Sequence, residues 1–335
     1  MRPRTPLLAA ATLLALVGPS AAHAIVGGEV APRGFAPATA KLSTGEQVCS
    51  GALLTPRLIL TAAHCFEEDQ AEPAEVARRT SVVIGNPNRS RRLQQRRGIG
   101  VQFGPADANG RADVAILTLD RTSAQPLAAI APSDQIPALV APGARLLLSG
   151  FGATLSPPPG PDGSAPELHA SKLLKRAALA GAGCPADVAV DGRRSAFQSC
   201  AVPSPIPGIE RAETGNACSG DSGAPVFAWT PSLGLLTQVA VVSGGVGADQ
   251  CSQTNTSVLT PLTGPVIDWV RAAQNAPEPP QGRPPRSCPQ RRSAARRARA
   301  AVRRARHRHG RAGRRALRRA EARQRVADAA VYRSC

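Results

Sequence analysis

Residues 25–275 break into apolar runs too short to build helices. Ala52–Leu54, Leu58–Leu60, Ser81–Ile84, Val114–Leu119, Arg145–Leu148, Val226–Trp229, Leu236–Val242 and Val258–Thr260 are separated by Gly, Pro, Asn and Asp. Such runs at short intervals predict an all-β sandwich or barrel. Helical spacing first emerges at Thr263–Gln274, where Val266, Ile267 and Val270 fall on one face. Ser156–Pro166 reads as a Pro/Gly loop. Hydrophobic residues make up 42% of the chain. That is enough for a core and excludes wholesale disorder.

The formal charge of +18 suggests a nucleic-acid binder until it is located. Residues 276–335 hold 19 Arg against 3 acids, which is +16 of the total, whereas residues 25–275 are electroneutral. The basic character therefore belongs to a tail, and the neutral body disfavours a nucleic-acid-binding protein. Residues 276–289 form a Pro-rich, extended linker. Beyond it, residues 290–335 are almost entirely Arg and Ala, both good helix formers. One straight helix would hold Cys288 and Cys335 on the order of 70 Å apart. We therefore expect a helical hairpin with arms at 290–308 and 314–332, turning at Gly310–Gly313 and closed by a Cys288–Cys335 disulfide. A disordered arm is the alternative, because the like charges repel. Such a tail suits polyanions, whether an anionic cell-wall polymer, an acidic lipid surface or extracellular nucleic acid.

Residues 1–24 read as a secretory signal peptide. Arg2 and Arg4 precede an apolar run from Leu7 to Val17, and Ala22-His23-Ala24 fits the small-x-small cleavage rule, so cleavage is expected after Ala24. The run falls short of the ~20 residues of a membrane span. Export places the eight cysteines in an oxidising compartment, where an even count suggests disulfides whose pairing the spacing leaves open.

Three separated motifs bring chemistry to the body. Thr61-Ala62-Ala63-His64-Cys65 sets a His after a strand-like run. Asp113-Val114-Ala115-Ile116-Leu117 puts a carboxylate at the head of an apolar strand. Gly215-Asn216-Ala217-Cys218-Ser219-Gly220-Asp221-Ser222-Gly223 is a turn presenting a Ser. Ile25-Val26-Gly27-Gly28 stands directly after the expected cleavage site. A serine hydroxyl is a weak nucleophile near neutrality and needs a base such as imidazole. A lone carboxylate in a buried strand needs a partner.

Taken together, in this order and over about 250 residues, these motifs resemble the trypsin/chymotrypsin-like serine proteases. The resemblance implies two packed six-stranded antiparallel β-barrels with a C-terminal helix. It implies Ser222 as nucleophile, His64 as general base and then acid, and Asp113 as the group that fixes the imidazole tautomer. The backbone N–H groups of Gly220 and Ser222 would form the oxyanion hole. The α-ammonium of Ile25 would pair with Asp221 after cleavage. The implied disulfides are Cys49–Cys65, Cys184–Cys200 and Cys218–Cys251. The implied reaction is endopeptidase cleavage of polypeptide substrates by a secreted monomer, with no cofactor. A catalytically silent protease-fold binding protein is the competing reading.

Departures from the family pattern bear on specificity. The floor of the primary pocket would be Asn216, which offers no ion pair to Lys or Arg. Ser243, Gly244 and Gly245 would pair with the substrate backbone. Gly244 replaces an aromatic, and Ser257 stands on a pocket wall where Gly is common, which would narrow it. Small or medium uncharged side chains are therefore expected. Residues 85–105, where some relatives bind calcium, contain no carboxylate, and no metal is expected. The acidic run Glu67, Glu68, Asp69, Glu72 and Glu75 reads as a solvated loop.

Overall fold

The computed structural model describes residues 25–44, 47–67, 72–85, 93–107, 110–153, 170–185, 188, 197–205, 214–246, 251, 255–277, 288–306, 318–322 and 324. The expected signal segment and the Ser156–Pro166 loop lie outside them.

The strands are β1 (Glu29–Val30), β2 (Thr39–Ser43), β3 (Val48–Thr55), β4 (Leu58–Thr61), β5 (Ser81–Ile84), β6 (Gln94–Phe103), β7 (Ala106–Asp107), β8 (Gly110–Arg111), β9 (Ala115–Leu119), β10 (Arg145–Gly150), β11 (Lys175–Ala182), β12 (Ser199–Pro203), β13 (Pro225–Thr230), β14 (Leu235–Val246) and β15 (Thr256–Pro261). They close two six-stranded antiparallel barrels. The first runs β2-β3-β4-β9-β6-β5. The second runs β11-β10-β13-β14-β15-β12, closed by the β11–β12 pairing, with β1 added outside β11. The all-β expectation and the two barrels implied by the resemblance both hold.

The strand runs are continuously apolar because both of their faces are covered. Leu53, Ile59 and Leu117 fill the first barrel. Their neighbours Leu54, Leu60 and Ile116 point the other way and join the core built on Leu146, Val226, Val241 and Leu259. A period of two thus feeds two cores from one strand. Each such side chain contributes about 1.5–3 kcal/mol on burial. The same packing fixes the relative position of the barrels, and with it the cleft between them.

Among the described residues three α-helices belong to the barrel body. α1 (Pro73–Arg79) begins on a Pro in its first turn and buries Val76 and Ala77. The acidic stretch is therefore not a solvated loop throughout. A short α2 spans Ile136–Leu139. α3 (Gly264–Asn275) buries Val266, Ile267 and Val270, the three residues at helical spacing in the sequence.

Residues 281–335 form a separate compact unit. It contains α4 (Cys288–Arg306), which starts one residue before Pro289, a position where Pro is tolerated. Helical backbone recurs at 318–322 and 324. The expected turn at Gly310–Gly313 and the Cys288–Cys335 bridge lie outside the described residues. Among the described residues no helix is long and apolar enough to cross a membrane.

Candidate active site

The strand β4 ends at Thr61 and delivers His64 on a single 3-10 turn, His64–Phe66. Asp113 stands between β8 and β9, and β4 pairs with β9. This register places the two side chains together. Asp113 Oδ2 lies 2.8 Å from His64 Nδ1, and Oδ1 accepts the His64 backbone N–H at 3.0 Å. A carboxylate there favours the tautomer with the proton on Nδ1, leaving Nε2 as the acceptor. Burial pushes the Asp113 carboxyl up. The hydrogen bond and charge of His64, the Ser243 hydroxyl and the His64 backbone amide outweigh it and hold the group below the usual carboxylate range.

Ser222 comes from the second barrel, on the turn before β13. Gly220 holds φ +97°, where a Cβ would also stand 3.0 Å from Gly152 Cα. Asp221 N–H bonds to Cys218 O at 2.9 Å. Among the described residues the N–H groups of Gly220 and Ser222 donate to no other backbone group. His64, Gly220 and Ser222 line one cleft of about 340 Å³ together with Gln47, Val48, Cys49, Ala170 and Ser219.

Asp221 is wholly buried and is not among the residues that line the cleft. Its Oδ1 accepts Gly152 N–H at 2.8 Å and its Oδ2 accepts Cys218 N–H at 3.1 Å. A side chain at Gly150 or Gly152 would run into this carboxylate, which accounts for the Gly150-Phe151-Gly152 sequence. Burial raises the Asp221 pKa to about 7, against the pull of the two backbone N–H donors. Ile25 is fully buried, and Val26 O accepts the N–H of Asn216 at 2.9 Å. The start of the body thus lies against the loop that carries Asn216.

The predicted pocket residues separate into two groups. Asn216 and Ser257 are buried and bonded to each other, the Ser257 hydroxyl donating to Asn216 Oδ1. The Asn216 amide also donates to Asn255 O. Gly244 and Gly245 lie on β14 opposite Val258 and Ser257. Ser243 does more than the sequence suggests, because its hydroxyl donates to Asp113.

Sequence reasoning missed Ser50. Its N–H bonds to Ser222 O at 2.8 Å, and its hydroxyl donates to Gly220 O at 2.9 Å while accepting Phe151 N–H at 3.0 Å. The signal is a polar residue at the centre of the buried run of β3. Also missed were two ion pairs. Arg111 pairs with Glu67 and lies 4.3 Å over the Phe103 ring. Arg176 pairs with Glu29 at 2.6 Å and lies 5.2 Å from the Phe35 ring centre.

Disulfides join Cys49 to Cys65, Cys184 to Cys200 and Cys218 to Cys251. The bridges suit an oxidising, extracellular setting. Cys49, His64 and Cys65 are the one cluster of metal-type ligands among the described residues. Both sulfurs are spent in the bridge, so no thiolate is left to bind an ion.

A family model described as Trypsin matches residues 25–168, which include His64 and Asp113 but not Ser222. Trypsin II-P29 of Gallus gallus is 34% identical over 77 residues, 20% of this chain and 31% of that protein. Coagulation factor XII of Sus scrofa is 36% identical over 83 residues, 25% of this chain and 13% of that protein. Both alignments span far less than two thirds of the relative. Anionic trypsin of Canis lupus familiaris aligns over 260 residues at 27% identity, 74% of this chain and 88% of that protein.

Proposed function

The chain belongs to the trypsin/chymotrypsin-like serine protease family, and on that premise we propose that it is a secreted serine endopeptidase. The observation that carries this reading is the 2.8 Å contact of His64 Nδ1 with Asp113 Oδ2 beside a cleft that Ser222 also lines.

In the proposed reaction Ser222 attacks the scissile carbonyl carbon as His64 Nε2 takes its proton. The carbonyl oxygen becomes an oxyanion held by the N–H groups of Gly220 and Ser222. His64 then gives the proton to the leaving amine, and an acyl-Ser222 ester remains. Water, deprotonated by His64, attacks the ester and releases the acid. Asp113 keeps the imidazole oriented and balances its charge as it becomes imidazolium.

Activation follows from cleavage after Ala24. The new ammonium of Ile25 pairs with Asp221, whose burial without a cation is unfavourable. Ile25 holds φ +57°, a conformation rare for a β-branched residue. A free N-terminus removes that constraint. Protein made with a Met ahead of Ile25 is expected to be inactive, and equal activity would refute this route.

The neutral Asn216–Ser257 pair favours small or medium uncharged side chains before the cleaved bond. The Arg-rich tail tethers the enzyme to an anionic surface.

A fluorophosphonate or sulfonyl fluoride reagent is expected to label Ser222 in the secreted protein and to spare Ser222→Ala. Absence of labelling in correctly folded, correctly cleaved protein would refute the enzyme and leave a silent binding protein.

A further inference from the structure

The chain has 41 basic residues but only three lysines, Lys41, Lys172 and Lys175. Two of the three, Lys41 and Lys172, stand beside residues that line the cleft. Lys41 on β2 pairs with Ser50 on β3, so both side chains leave the same face of the sheet. That is the face on which Ser50 reaches Gly220 O. Val48, two residues along, lies on the same face and lines the cleft. Lys41 is its diagonal neighbour, roughly 7–8 Å away between backbones. The Lys41 ammonium crosses to the second barrel and donates to Ser171 O at 3.0 Å, next to Ala170, which lines the opposite wall. Lys172 follows, exposed. The two ammonium groups sense each other, since burial and then the Lys172 charge lower the Lys41 pKa. Among the described residues no carboxylate pairs with either.

Two like charges brought together, with no carboxylate of the described residues between them, are relieved by an anionic ligand. The position says which part of a substrate that is. The acyl half of a bound polypeptide would run along Ser243–Gly245, and none of these residues lines the Gln47–Cys49 and Ala170 cleft. That cleft therefore takes the half that leaves.

We infer that Lys41 and Lys172 form an anion-recognising rim on the leaving-group side of the cleft, selecting polypeptides with Asp or Glu two or three residues beyond the cleaved bond. The inference rests on the protease reading for the direction of the substrate, but the rim itself is a binding site.

The test uses two Ala-rich peptides that differ only in Asp against Asn at the second and third positions after the cleaved bond. Binding is measured by fluorescence anisotropy on the secreted full-length Ser222→Ala chain, and cleavage on the intact enzyme. The Asp peptide is expected to bind and to be cleaved about fivefold better at low salt, the size of a favourable exposed ion pair. The preference should shrink in 1 M salt. Lys172→Gln, an exposed change, should bring the ratio towards one, and Lys41→Gln should do the same. Arg145→Gln, exposed on β10, should leave the ratio as it was. Equal binding of the two peptides, or a ratio unmoved by Lys172→Gln, overturns the rim. An Asp preference in binding with no cleavage of either peptide upholds the rim and sinks the protease reading alone.

Discussion

Ser243 Oγ lies 2.5 Å from Asp113 Oδ2, the oxygen that also faces His64 Nδ1. The second barrel thus reaches across and holds the carboxylate that the first barrel supplies. Asp113→Asn presents an amide where an acceptor is required and should lower kcat by about 10^4-fold, the loss a wrong imidazole tautomer causes in serine proteases. Ser243→Ala removes one charge-assisted hydrogen bond and should lower kcat by about tenfold with KM little changed. Steady-state kinetics on a neutral peptide separate the two effects.

Gly220→Ala should leave the fold in place and weaken catalysis. The added methyl opposes φ +97° and presses on Gly152, so the N–H at this position turns away. Losing one oxyanion donor lowers kcat by about 10²–10³-fold. Fluorophosphonate labelling slowed to a similar degree, with unchanged circular dichroism, is the expected pattern.

Asp221 gives the uncleaved chain a pH signature. Its folded pKa of about 7 lies above the unfolded value, so the native state holds this proton more tightly. The stability linked to it is present at acid pH, declines as pH rises towards 7 and is flat above. A precursor blocked at Ala24–Ile25 should therefore lose on the order of 2–4 kcal/mol between pH 4 and pH 8. Asp221→Asn should flatten that profile, and cleaved protein should lack it because the Ile25 ammonium compensates the charge. Thermal midpoints across pH provide the measurement.

If Asn216 and Ser257 form the primary pocket as proposed, Ser257→Gly should deepen it and free Asn216 from the hydroxyl that now bonds to it. Cleavage after larger uncharged residues such as Phe or Leu should rise by about tenfold relative to Ala, the scale of a few methylene contacts. A peptide-library profile of the two proteins would reveal the shift.

The Cys49–Cys65 bridge closes a 16-residue separation around the start of the His64 turn. Replacing both cysteines by Ser should lower stability by about 3 kcal/mol. Denaturant titration of the oxidised proteins tests the figure.

Much of this arrangement is legible in the sequence because its parts are local. His64, Asp113 and Ser222 each sit in a short run whose neighbours announce a strand end or a Gly-rich turn. Val266, Ile267 and Val270 announce α3 in the same way. What escaped is the polar stitching between the halves. Ser50 meets Gly220 across 170 positions and Ser243 meets Asp113 across 130, and no local pattern encodes such a partner. A hydroxyl in an apolar strand signals only that some acceptor must exist. Helix α1 escaped for a different reason: two buried residues, Val76 and Ala77, organise a stretch that composition alone reads as solvent-facing.

The imidazole and its carboxylate are mounted on one barrel and the hydroxyl on the other. Neither half holds all three groups, so the proposed reactivity would be a property of their docking and not of either lobe. A slip of even an ångström along the shared apolar seam would displace the hydroxyl from the imidazole proposed to activate it while leaving both lobes folded. Agents that loosen the seam should therefore silence the molecule well before they unfold it.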